Sequence, residues 1–143
     1  MNIRLMIAAL VTLSVSVPAL AQSDHDHDHG HDHESVDFAN VDDGWAALED
    51  VAAEIRATIK AKNLTPLHDL SDRLHSVGDG LARHASDVAK PNQLRFTSSL
   101  NQLRTMSDRL HAVHEDNDVA AAERLVPQLN GVVQLLMVSA EGK

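Results

Sequence analysis

The chain has 143 residues and a formal net charge of −9, with 12 Lys and Arg against 21 Asp and Glu, and it contains no cysteine. That balance argues against nucleic acid or an anionic membrane as partner, since both reward clustered Lys and Arg. The lack of cysteine excludes disulfides, thiolate zinc sites and covalent c-type haem.

The first 21 residues have the order of an export signal. Arg4 supplies a positive start, "LMIAALVTLSVSV" is an apolar run, and "ALAQ" places Ala19 and Ala21 before a cut ahead of Gln22. A run of about 13 residues is short of the ~20 that a membrane span needs. With no cysteine after it, lipid attachment is also excluded. The reading is a periplasmic protein of residues 22–143, without a membrane span once the signal is removed. Cleavage takes away Arg4 and no acid, which moves the net charge from −9 to −10. About 120 residues then make one domain.

Residues 24–34 read "DHDHDHGHDHE". His25, His27, His29, His31 and His33 alternate with acids, among them Asp26, Asp28 and Asp32. Imidazole is the commonest nitrogen ligand for transition metals, and carboxylates add oxygen donors. In an extended chain, side chains two apart are roughly 6.5–7 Å from each other, so a flexible segment folds two or three of them around one ion. Gly30 eases that turn. Residues 22–40 have little apolar surface to bury, so this tail is expected to be disordered without metal. Ligands that are not preorganised follow intrinsic metal preference, which leaves Zn, Ni, Cu or Co open as the divalent ion. An affinity near micromolar, about −8 kcal/mol, suits capture and hand-off rather than catalysis.

From about residue 41 to 140 the pattern is helical, without strand alternation. Trp45, Leu48, Ala52, Ile55 and Ile59 form one apolar stripe. Leu67, Leu70, Leu74, Val77, Leu81 and Val88 form a second after "NLTP", where Thr65 is the expected N-cap and Pro66 the first helical residue. Leu103, Met106, Leu110 and Val113 form a third, and Ala122, Leu125, Leu129, Val132 and Leu136 a fourth. Four such helices with short links predict an all-α, antiparallel up-down four-helix bundle. Gly78 and Gly80 should weaken the second helix, and Pro127 should kink the fourth.

The segments "LHDLSDRLHSV" (67–77) and "LRTMSDRLHAV" (103–113) agree at seven of eleven positions with a 36-residue offset. The shared apolar positions follow from helical periodicity; the shared "SDR" and the pair His75 and His111 do not. The line His68, Asp72, His75, Asp79 is expected on the surface as helical His–Asp pairs. If the second and third helices run antiparallel, His68, His111 and His114 meet at one end of the bundle. They are then either a second metal site or structural histidines. His84 is expected at the core edge with a hydrogen-bond partner.

No phosphate loop, H-E-x-x-H motif or nucleophile elbow is present, so an enzyme is not expected. The segment "TPLHDLSDRLHSV" with its helical surroundings, residues 42–138, resembles the small exported helical-bundle proteins that accompany bacterial heavy-metal resistance and efflux systems. The tract is similar in composition to the His/Asp-rich loops of periplasmic zinc and nickel handling proteins. The likeness implies metal ions and a membrane metal transporter or efflux component as partners. It differs from periplasmic four-helix b-type cytochromes, since residues 42–62 hold no Met and no His follows His114. It also departs from the metal-sensor family with L-T-x-x-Q motifs, since "LTPLH" has His68 in place of Gln. The alternative function is a protein-interaction adapter whose SDR-bearing surfaces, with Arg73 and Arg109, recognise a partner.

Overall fold

A computed structural model describes residues 36–141. Four helices follow in order: α1 (Val41–Lys60), α2 (Leu67–Arg83), α3 (Lys90–Glu115) and α4 (Val119–Glu141), with one 3-10 turn at Ala85–Asp87. The described residues contain no strand. α1 packs on α2 and α4, and α3 packs on the same two, so the four close around a single core. The described part of the chain is therefore a helical bundle.

The four apolar stripes supply that core. Apart from Trp45 and Val113, every stripe residue is buried. Phe96 and Leu100, in the first half of α3, join them. At ~1.5–3 kcal/mol for each large aliphatic side chain withdrawn from water, this burial is what offsets the ordering of the backbone.

Helix ends are set by local chemistry. Asn40 caps α1 by accepting from the Asp43 N–H, and Asp118 caps α4 by accepting from Ala121 N–H at 2.8 Å. α1 and α3 stop alike. Lys62 N–H donates to Ile59 O and Asn63 N–H to Thr58 O; Asn117 N–H donates to His114 O and Asp118 N–H to Val113 O. These are paired Schellman bonds, which require the left-handed conformation at Lys62 (φ 57°) and Asn117 (φ 48°).

Three local expectations are corrected. Thr65 does not cap α2: Pro66 occupies the cap position in helical conformation, and no side chain closes that end. α2 ends at Arg83, and Val88 reaches the core from beyond the 3-10 turn. Gly80 and Gly44 are close-approach positions rather than plain defects. A Cβ on Gly80 would lie 2.4 Å from the Phe38 ring and 2.6 Å from the Val36 carbonyl; one on Gly44 would lie 2.5 Å from Leu81. The segment before α1 lies in the space these glycines leave. Pro127 sits within α4 on its exposed side, and the helix is assigned without a break through it.

Candidate functional site

The tract residues His25, Asp26, His27, Asp28, His29, His31, Asp32 and His33 lie outside the described residues. What is described is where the chain that follows them joins the bundle, and the histidines of the bundle itself.

The joining segment is fastened at the far end of α2. Arg83 donates to the Val36 carbonyl and pairs with Asp37 at 2.9 Å. The His84 ring bridges the Asp87 carboxylate (Nδ1, 3.0 Å) and the Phe38 carbonyl (Nε2, 3.1 Å). His84 is thus the hydrogen-bonded core-edge histidine expected from its position. Phe38 packs against the core, and Trp45 meets Phe96 edge to face at 5.9 Å. All three aromatic residues of the chain therefore gather where the segment arrives.

The α2–α3 seam carries the other histidines. Successive contacts climb α2 while descending α3: His68 beside His111 and His114, Ser71 with Ser107, Asp79 with Arg104. The ring centroids of His68 and His111 are 4.6 Å apart, and those of His68 and His114 are 5.6 Å apart. The three imidazoles do meet. Each is already engaged: His68 Nε2 lies 3.7 Å from Asp72, His111 Nε2 lies 3.4 Å from Glu115, and His114 Nδ1 donates to the Leu64 carbonyl at 3.0 Å. A carbonyl only accepts, so the proton is on His114 Nδ1. The rings tilt over one another by 51° and 41°. Tetrahedral zinc needs ligand atoms converging at about 2.0–2.1 Å. Among the described residues no group of three or more His, Asp or Glu side chains stands in such an arrangement.

Asp79 anchors the other end of the seam. Its Oδ1 accepts from Arg104 Nε at 3.0 Å and Nη2 at 2.7 Å, and its Oδ2 lies 3.6 Å from His75. The His68–Asp79 line is therefore only half exposed, lying along a helix contact rather than on open surface. The sequence pattern alone places this line on the open surface as helical His–Asp pairs. Arg104, which draws it against α3, was the missed residue.

The repeated "SDR" also turns inward in part. Ser71 and Ser107 are buried, while Arg73 pairs with Glu54 at 2.8 Å and Arg109 donates to Gln128 at 2.7 Å. Each arginine thus ties its helix to an outer neighbour, Arg73 to α1 and Arg109 to α4. No helix among the described residues is long and apolar enough to cross a membrane. No protein-family model, curated protein or solved structure matches the chain.

Proposed function

We propose that this is an exported, periplasmic accessory protein that captures or buffers a divalent transition metal, Zn, Ni, Cu or Co, through its amino-terminal tract and serves a metal transport or resistance system. One observation carries the reading: five imidazoles on alternate positions, nearly all interleaved with acids, follow closely on an apolar amino-terminal run that has the order of an export signal. A merely solvated acidic segment has no physical need of histidine at every second residue. The bundle carries the tract and presents it to a membrane transporter or efflux component. It does no chemistry of its own.

In this reading the bundle is antiparallel and up-down. The descending contacts of α2 on α3 support that order. So do the pairs Gly44 with Leu81 and Glu54 with Arg73 between α1 and α2. His68, His111 and His114 are proposed as a structural stack and the tract as the collecting site, because the nitrogens described above already face acceptors. The adapter reading is weakened by the same geometry, since Arg73 and Arg109 are spent on neighbours within the bundle.

The test is calorimetric titration of the purified protein with Zn²⁺, Ni²⁺, Cu²⁺ and Co²⁺, with and without residues 24–34. Uptake lost with the tract supports the proposal. Equal uptake by both proteins moves the site to the bundle, and no uptake by either ends the metal reading.

A further inference from the structure

His84, at the end of α2, has an acceptor on each side of its ring: the Asp87 carboxylate 3.0 Å from Nδ1 and the Phe38 carbonyl 3.1 Å from Nε2. A carboxylate and a carbonyl only accept, so the two bonds exist together only when both ring nitrogens carry protons. A neutral imidazole has one proton to give. Placed on Nε2, it leaves the Nδ1 lone pair facing a full negative charge. Placed on Nδ1, it leaves the Nε2 lone pair facing a peptide oxygen. The bond to the carboxylate is the stronger of the two, so the neutral ring keeps its proton on Nδ1. The bond that is lost is the one to Phe38.

We infer that His84 is a proton-operated clasp: doubly protonated, it holds residues 36–38 on the bundle, and on losing one proton it releases them. Only Ser35 separates these residues from the 24–34 tract. The closed clasp therefore fixes the point at which the chain running back to the tract leaves the bundle. The other polar hold on the segment is Arg83, which donates to the Val36 carbonyl and pairs with Asp37. That pair is 43% and 85% exposed, and exposed pairs contribute little. The His84 side chain is only 18% exposed, so its bond to Phe38 is the sheltered one. Phe38 in turn covers Gly44 and Gly80, and its ring stays there only while its backbone is held down.

The surroundings leave the imidazole as the group that switches. The 3-10 turn supplies Asp87, whose Oδ1 accepts from the Ser86 hydroxyl. α2 supplies Arg83 and the segment Asp37, paired with each other at 2.9 Å. α1 offers Gly44 to Phe38, and its Asp43 is bonded to Asn40. α3 sends the neutral Gln93 to the Val88 carbonyl. Carboxyl and guanidinium groups ordinarily titrate well outside the range in which imidazole does. Closing the clasp takes up a proton, so acid favours the closed form and rising pH opens it.

Nuclear magnetic resonance on the purified full chain, at pH near 5.5 and near 8.5, tests this on either side of the ordinary imidazole value of about 6.5. With two Phe, one Trp and no Tyr in the chain, cross-relaxation between the Phe38 ring and the Gly80 α-protons stands in a sparse aromatic spectrum. That signal should be strong at the lower pH and fall about twofold or more at the higher. His84→Ala should hold it at the lower level at both values. Asp87→Asn sets an amide donor against Nδ1, so a neutral ring satisfies both sides, and the signal should stay strong at both values. The tract imidazoles titrate in all three proteins and cancel in the comparison. A signal in the unmodified chain that does not change with pH overturns the proposal, as does an equal change in Asp87→Asn. Nitrogen-15 spectra showing a proton kept on His84 Nε2 at the higher pH, with the segment still seated, overturn it too. None of these outcomes depends on metal capture by the tract.

Discussion

Ser107 Oγ donates to the backbone carbonyl of Ser71 at 2.7 Å, and these two serines are equivalent positions of the repeated segments. A contact between equivalent residues lies on the local two-fold axis relating two opposed helices. The same 36-residue shift carries His75 onto His111, and Asp79 onto Glu115. Each of these histidines faces its own i+4 acid. The likeness of α2 and α3 thus extends from sequence to contact. The small serine lets the backbones approach, and its hydroxyl is satisfied where they do. Ser107→Ala should cost about 1 kcal/mol, the net worth of one buried hydrogen bond. Ser107→Leu should cost more, about 1–3 kcal/mol, because the seam has no room for it. Urea unfolding midpoints measure both; equal midpoints for all three proteins would show that the seam is loose.

Glycine substitutions separate close approach from helix propensity. In an exposed helix Gly→Ala stabilises by ~1 kcal/mol. Gly131→Ala should follow that rule, since its added methyl meets nothing within 4 Å. Gly80→Ala should reverse it, because the methyl would collide with Phe38 and with the Val36 backbone, only 2.6 Å away. Lys62 is the converse case: a non-glycine residue at φ 57°. Lys62→Gly should stabilise by about 1 kcal/mol through relief of that strain. Thermal unfolding of the three variants gives the signs directly, and a stabilised Gly80→Ala would show that the 36–38 segment does not hold its place.

Much of the bundle was legible because apolar periodicity reports burial directly. The aliphatic stripes from Leu48 to Leu136 are the core. What was missed depended on partners that periodicity does not encode. Gly80 reads as a helix defect until Phe38 is placed over it, and Thr65 reads as a cap until Pro66 takes that position. Neither left-handed helix stop was read from the sequence: asparagine favours that backbone at Asn117, whereas lysine carries no preference for it at Lys62. The meeting of His68, His111 and His114 followed from pairing two helices in opposition. Their ring orientations did not, because the hydrogen bond of His114 to Leu64 and the approach of His68 to Asp72 and of His111 to Glu115 set them.

Those orientations make the histidine stack a stability element. His114→Ala removes the bond to the Leu64 carbonyl, which ties the α1–α2 link to α3. About 1 kcal/mol should be lost, with a further loss from the emptied contact with His68. Metal uptake should be unchanged in the His68→Ala, His111→Ala and His114→Ala triple variant if it still folds, and in each single variant if it does not. Loss of stoichiometric zinc binding in these variants, with the tract intact, would assign metal to the bundle.

The tract has a distinct signature in pH. A histidine binds metal through a neutral ring nitrogen, so protons compete with the ion once pH falls below the ordinary imidazole value of about 6.5. At pH 5.5 a free imidazole of that pKa is about one-tenth deprotonated, and an ion held by two of them should bind roughly a hundredfold more weakly. Three ligands per ion make the decline steeper still. Aspartate ionises near 3.9 and would add little pH dependence over the same range. Calorimetric titration with Zn²⁺ at pH 7.5, 6.5 and 5.5 therefore counts the imidazoles per ion. A loss of less than tenfold would mean that Asp26, Asp28 and Asp32 carry the binding. In that case Asp→Asn at these three positions, rather than His→Ala at the five histidines, should abolish uptake.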